Sequence, residues 1–333
     1  MAEKNQNKFR TRFSKDQSGF ALLVVLWVVV LLLTIALSLS VMARTEIFST
    51  LTFKEQLENK YLAEAGLQRG IIELFYRASN KNGQAFFVEE KIIRTDGTAY
   101  VGTLENGSYK LSITDESGKI NINTLTDSSG IVLNNLLVNM GIEKEMADTI
   151  VDSILDWKSP TGLHRLHGAD SDYYSSLPNP YRAKNANFDT LEELLLVKGV
   201  TPDILYGDGE RPGLIRFLTI YGDANRININ VAAPEVLRAI PFISADGVAK
   251  ILLLRSADND AEAAAELQAM LAGGDSTKMS PYIMTADSNV FAIEVSGYKD
   301  NERKYYPLRA IVNIETGGNY TVLSYQSPAG VKQ

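Results

Sequence analysis

The rhythm of apolar and polar positions changes several times along this chain, and each change marks an element. From Phe20 to Ala43 twenty-four residues pass without a charged side chain ("FALLVVLWVVVLLLTIALSLSVMA"). As a helix such a run rises about 36 Å, enough to cross a hydrocarbon core of about 30 Å. Past Ala43 no helix breaker occurs before Asn80. Ile47, Leu51, Tyr61, Ala65, Ile72, Phe75 and Tyr76 return near helical spacing, and Lys54, Glu55, Glu58, Lys60, Glu64 and Arg69 fill the other faces. The two stretches therefore predict one helix over 20–78. Gly66 and Gly70 each weaken a helix by about 1 kcal/mol relative to Ala. They mark either a decaying end or a place where another element packs closely.

After Asn80 the period shortens to two in "AFFVEEKIIR", "TAYVGTLE" and "GSYKLSITDESGKININ", with the Asp-Gly of "RTDGTA" and the Asn-Gly of "ENGSY" as tight turns. This predicts an antiparallel meander. "KININ" at 119–123 returns as "RININ" at 226–230, an alternation that buries the isoleucines on one face and shows the asparagines on the other. Three helix-turn-helix hairpins follow from "IVLNNLLVNMGIEKEMADTIVDSILDW", "FDTLEELLLVKGVTPDILYG" and "APEVLRAIPFISADGVAKILLLR", turning at Gly141, at Gly199, and at Pro241 with Gly247. A polar helix over "DNDAEAAAELQAMLAG", a loop with Gly273, Gly274 and Pro281, and the strands "NVFAIEVSGYK", "RKYYPLRAIVNIE" and "NYTVLSYQ" complete the pattern. Their alternation predicts a half-solvated antiparallel sheet. The helical block at about 126–220 thus interrupts a mostly β domain.

Length and charge refine this picture. At 333 residues the chain is too long for one small core. Its formal net charge is −7, although Lys4, Lys8, Arg10, Arg12 and Lys15 precede the apolar run against only Glu3 and Asp16. That basic cluster orients the span with its N-terminus in the cytoplasm and residues 44 onward outside. "VMA" before Arg44 has the spacing of a signal-peptidase site, but the apolar run is far longer than an h-region of about 7–15 residues. The absence of cysteine excludes disulfides, thiolate catalysis, iron–sulfur clusters and Cys-based zinc sites, and leaves the compartment open.

Little in the chain suggests catalysis. It has no Gly-x-Ser-x-Gly elbow, no phosphate loop and no His-Glu-x-x-His helix. The only histidines, His164 and His167, stand three apart and read either as two zinc ligands or as loop residues in solvent. Glycine-turned hairpins can present amides to a phosphate, which makes a membrane-anchored helix-hairpin-helix DNA receptor the alternative reading. The turns "NMGIEKE", "VKGVTPD" and "ISADGVA" place carboxylates beside each glycine, and the body is acidic, so no nucleic-acid partner is expected. Asp170 and Asp172 alternate in a loop as calcium ligands do, and Asp156 ends the preceding helix. The same residues also suit a helix end and an N-cap.

The order of elements resembles a known family. A short basic leader ending at Gly19, then Phe20 and the apolar run, resembles the class III leader of type IV pilin-like proteins, and "YLAEAGLQRG" at 61–70 is similar to their helix continuation. "DESGKININTL", "DW" with "GADSDYY", "NPYRAKNANFDTLEELLLVKGVTPDIL" and "ININVAAPEVLRAI" resemble, over nearly the whole chain, the minor pseudopilin K family of type II secretion systems. The resemblance implies an α+β, type IV pilin-like fold, a long N-terminal helix on an antiparallel sheet, with a large inserted helical domain of helix-hairpin (SAM-like) units. The implied plan is a leader at 1–19, a transmembrane helix at 20–43, the rest of the helix and first strands at 44–125, the insertion at 126–220, and the remainder with the C-terminal strands at 221–333.

It further implies cleavage by a prepilin peptidase between Gly19 and Phe20 and N-methylation of Phe20. The implied role is non-enzymatic: a single-pass inner-membrane protein with a periplasmic main domain, assembled from the inner-membrane platform. It would stand at the pseudopilus tip with minor pseudopilins I and J, and with H as a further neighbour. Calcium would be held in the helical domain by Asp156, Asp170 and Asp172. Where the family carries an acidic stretch after "DW", this chain has Lys158, Ser159, Pro160 and Thr161, so only the Asp170 and Asp172 part matches. The fifth residue after the cut is Val24, where stacking pilins have a glutamate thought to meet a neighbour's terminal amine. A buried carboxylate without such a partner is costly, so valine fits a subunit with nothing ahead of it.

Overall fold

A computed structural model describes residues 18–79, 93–161, 163–256, 265, 276–286, 288–299, 302–315 and 318–330. Residues 1–17 of the expected leader, nearly all of the expected strand "AFFVEEKIIR" and almost all of the expected polar helix "DNDAEAAAELQAMLAG" lie outside them. The chain forms two compact units, residues 1–57 and 58–333.

Helix α1 runs unbroken from Ser18 to Ser79. In the first unit every side chain from 20 to 54 is exposed. In the second unit the same helix buries Leu62, Ala63, Leu67, Ile71 and Leu74, a stripe at steps of three and four. Tyr61 and Ile72, expected on the apolar face, are exposed instead. Gly66 and Gly70 lie within this buried face, where the helix comes closest to the sheet. A Cβ on Gly66 would stand 2.6 Å from Val295 and 2.8 Å from the Tyr109 ring, and one on Gly70 would stand 3.2 Å from Ile293. Close packing, not helix decay, therefore explains these glycines.

Strands β1 (Asp96–Leu104), β2 (Gly107–Asp115), β7 (Val290–Tyr298), β8 (Tyr306–Ile314) and β9 (Tyr320–Gln326) make an antiparallel sheet in the order β1-β2-β7-β8-β9. β1 and β2 close through a two-residue turn, Glu105–Asn106, with Leu104 opposite Gly107, one residue before the expected Asn-Gly pair. β2 then pairs with β7 from Ser108↔Tyr298 to Asp115↔Phe291. The interruption of the sheet is thus 116–289, wider than the expected 126–220, because the last hairpin shares the core of the inserted segment rather than that of the sheet. Asp115 joins the two ends: its carboxylate accepts from Ser117 N–H (2.8 Å), Ser117 Oγ (2.6 Å) and Ser288 Oγ (2.6 Å). β7 is buried on both faces rather than half-solvated, since Val290, Ala292 and Ile311 meet Tyr221 on the side away from the main sheet core.

The inserted segment is built on the two "ININ" copies. β3 (Ile120–Asn121) pairs in parallel with β4 (Leu218–Thr219), and β5 (Ile227–Asn228) with β6 (Ile283–Met284). Each copy leads into a pair of helices: α2 (Gly130–Asn139) with α3 (Lys144–Lys158), and α6 (Pro234–Ala239) with α7 (Ala245–Ser256). The asparagines are not shown to solvent as expected. Asn121 Nδ2 donates to Tyr221 O and Gly222 O, Asn228 Nδ2 donates to Ala286 O, and Asn123 and Asn230 likewise bond the backbone of the facing loop. A two-residue parallel ladder leaves neighbouring carbonyls unpaired, and the amides satisfy them.

Two hairpins differ from expectation. Leu191–Leu196 is a 3-10 helix, not an α-helix. Glu193 ties back to Lys184 and to Asp189 N–H while Val197 is already extended, so only a short tight turn fits. Gly247 lies inside the first turn of α7, its N–H donating to Ser244 Oγ, and the turn falls earlier, where Phe242 has φ +68°. Gly141 and Gly199 do occupy their turns, both at φ +87°, a conformation favouring glycine.

Candidate functional site

Two features carry functional meaning, the apolar half of α1 and the end of α3. Among the described residues α1 is the one helix long and apolar enough to cross a membrane, with a mean hydropathy of 3.2 in its most apolar window. Gly19 lies in its first turn, Phe20 is 72 % exposed and Val24 is 45 % exposed. A helix that is apolar on every face, with none of that face buried by its own chain, is suited to lipid or to other apolar helices.

The end of α3 is a compact polar knot beneath an aromatic cluster. Asp156 and Trp157 are both 3 % exposed. The Trp157 ring meets Tyr174 edge-on at 5.2 Å and stacks on Phe188 at 6.5 Å, and Tyr181 stacks on Tyr174 at 5.2 Å. Burial pushes the Tyr174 phenol up to about 12; its oxygen accepts from Lys198 N–H.

Asp156 uses both oxygens on one residue: Oδ2 accepts from the Arg165 backbone N–H (2.9 Å) and Oδ1 from Arg165 Nη1 (2.7 Å). The same guanidinium donates from Nε and Nη2 to Asp127, at 2.6 and 3.1 Å. That hydrogen-bonded pairing holds Asp127 below the usual carboxylate range and raises Arg165. Lys158 turns inward, and its Nζ donates to the carbonyls of Ile122 (2.9 Å), Asn123 (3.0 Å) and Leu125 (2.6 Å), just beyond β3. Burial, then the Arg165 charge, pulls Lys158 down to about 8.

The expected calcium ligands are not brought together. Asp156 is satisfied by Arg165, Asp170 caps α4 (Ser171–Ser175) by accepting from the N–H groups of Asp172 and Tyr173, and Asp172 is exposed. Among the described residues no three His, Cys, Asp or Glu side chains gather as a metal site. A calcium shell needs six to eight oxygens, and this donor set does not fit one. His164 and His167 are exposed loop residues; His164 Nδ1 lies 2.9 Å from Arg165 O, and the His167 N–H donates to Asp152. Arg165 and Asp127 escaped the sequence reading, and Lys158 entered it only as a departure from an acidic stretch, because their meaning lies in long-range pairing. The only local signal was a lysine directly after a buried Asp-Trp.

Fold and site together define a pilin-like α+β protein whose sheet is interrupted by a helical segment. The family model described as "Type II secretion system (T2SS), protein K" matches residues 118–206, from the start of β3 through α5 (Pro202–Tyr206), the part that contains this knot. A type II secretion system protein K of Pectobacterium carotovorum subsp. carotovorum is 28% identical over 64% of this chain and 66% of its own length. A protein of Escherichia coli (strain K12) described under the same name is 24% identical over 57% of this chain and 60% of its own. The match thus spans less than two thirds of either relative. The crystal structure of the GspK-GspI-GspJ complex from the enterotoxigenic Escherichia coli type 2 secretion system shares the fold, with a TM-score of 0.60, 14% identity, and coverage of 86% of this chain and 100% of that one. Over residues 118–206 the chain is thus similar to the type II secretion system protein K family, and its fold is similar to that of the solved complex.

Proposed function

We propose that this protein is a minor pseudopilin of a type II secretion system, cut by a prepilin peptidase between Gly19 and Phe20 and methylated at Phe20. It is held in the inner membrane by residues 20–43, with its N-terminus cytoplasmic and its main domain periplasmic. From the assembly platform it initiates and caps a short pseudopilus with minor pseudopilins I and J, and H beyond them, in the export of proteins across the outer membrane. The role is structural, not enzymatic.

One observation carries this reading. A single helix from Ser18 to Ser79 is apolar on all faces at one end and packs on an antiparallel sheet at the other, which is the build of a subunit that leaves lipid for a helix-packed filament. The cap assignment is supported by Val24, which leaves no carboxylate for a preceding subunit's amine, and by the core that the 116–289 segment adds to the sheet domain. Co-expression of the full chain with I and J followed by affinity capture in detergent is the test. The expected result is a complex of the three that forms with wild type. A chain that assembles filaments normally when I and J are deleted contradicts the tip role.

A further inference from the structure

The end of α3 is constructed as a cation site whose cations are covalently part of the chain. Three backbone carbonyls, those of Ile122, Asn123 and Leu125, converge on one point within 3.0 Å of Lys158 Nζ. Two carboxylates, Asp127 and Asp156, converge on another, where the Arg165 guanidinium stands between them. Oxygen groups drawn together in this way repel one another, and a positive charge placed between them relieves that repulsion, although Asp127 also faces solvent.

The second "ININ" copy repeats the device. "KININTL" at 119–125 aligns with "RININVA" at 226–232, so Leu125 corresponds to Ala232. Lys158 is the last residue of α3, and Arg255 is the last but one of α7. Arg255 Nη1 donates to Ala232 O at 2.7 Å, as Lys158 Nζ donates to Leu125 O. In each copy a basic side chain from the end of the second helix locks the carbonyl that follows the strand. The repetition argues that the basic residue is part of the design of the unit and not an accident of one loop.

We infer that Lys158 and Arg165 serve in this chain the oxygens that a bound cation would otherwise serve, an ammonium in the carbonyl nest and a guanidinium between Asp127 and Asp156, so that the helical segment folds without a divalent cation. The inference stands apart from the secretion role, because it concerns only what closes this loop. Two residues of ordinary sequence would then do what a family expectation assigns to calcium, and the fold would be indifferent to the calcium level around it.

Thermal unfolding of the full chain in detergent, with calcium chloride and with EDTA, tests this. Wild type is expected to give superimposable curves in the two conditions. The Lys158→Ala/Arg165→Ala double variant leaves two carboxylates and three carbonyls without their cation; it is expected to unfold several degrees lower in EDTA and to be raised again by calcium. If it does not fold in EDTA, recovery of the cooperative transition on adding calcium is the readout. A wild-type transition raised by calcium and lowered by EDTA would overturn the inference. So would a double variant whose loss is the same with and without calcium, since Lys158 and Arg165 would then be ordinary structural pairs.

Discussion

Replacing Gly297 by alanine probes the closest approach in the sheet domain. Gly297 lies in β7 opposite α1, and a Cβ there would collide with the carbonyl oxygen of Asn59 and the amide nitrogen of Ala63 and stand 2.9 Å from the Leu62 carbonyl carbon. All three are backbone atoms of one helix, so no side-chain rotation gives relief. The helix would have to lift by about 1 Å to restore ordinary contact distances near 3.5 Å. That movement loosens Leu62, Ala63, Leu67, Ile71 and Leu74 from the sheet together. Overpacking costs about 1–3 kcal/mol, and a backbone collision belongs at the upper end, about 3 kcal/mol. With a urea dependence of about 2 kcal/mol per molar, the midpoint falls by roughly 1–2 M. Gly66→Ala meets the buried side chains of Val295 and Tyr109 rather than backbone, and gains about 1 kcal/mol of helix propensity; its net loss is therefore smaller than that of Gly297→Ala. Gly330→Ala, with open space around it, is the control. Urea titrations of the full chain in detergent, followed by circular dichroism, measure the three. A Gly297→Ala midpoint equal to that of Gly330→Ala would refute the reasoning that α1 lies backbone-to-backbone on β7.

Asn228→Ala removes a fully buried amide whose Nδ2 serves Ala286 O and whose Oδ1 accepts the Asn230 N–H. The orphaned groups cost about 3 kcal/mol, measured by the same titration, and no loss would mean that the asparagine faces are ornamental. Tyr174 gives a pH dependence: its folded pKa, about 12, lies above the ordinary 10.0, so between those values the native state keeps a proton that the unfolded chain has released. Stability is complete below about pH 10 and falls by about 1.4 kcal/mol per unit above it, about 2–3 kcal/mol by pH 12. Tyr174→Phe is expected to remove that part of the alkaline slope in stability-versus-pH curves, and an unchanged slope counts against a buried, protonated phenol.

Much of this architecture is legible along the chain because it is written in periodicity. An uncharged run of helical length, a continuous helix over 20–78 and paired strands closing near Asn106 follow from local pattern alone. Where local pattern misled, long-range packing had decided. The buried stripe of α1 carries Leu62, Leu67, Ile71 and Leu74 beside Ala63, Gly66 and Gly70, a face that only the approach of the sheet distinguishes from the neighbouring one with Tyr61 and Ile72. The asparagines of the two copies look outward by alternation but turn to carbonyls contributed from some sixty to one hundred residues away. Asp156, Asp170 and Asp172 suggested a metal because carboxylate spacing is visible in a sequence, whereas the Arg165 side chain that reaches Asp156, and the carbonyls that receive Lys158, are not.

The proposed role requires that residues before Phe20 be removed as a leader and that the helix from Phe20 onward be retained. Mass spectrometry of the N-terminal peptide, on protein isolated from cells with an active prepilin peptidase, tests it most directly. The expected result is a mature chain that begins at Phe20 with a methylated amine, and an uncut chain for Gly19→Ala. An N-terminus at the initiator methionine in the wild-type protein, or one at Arg44 from signal-peptidase cleavage, would contradict it.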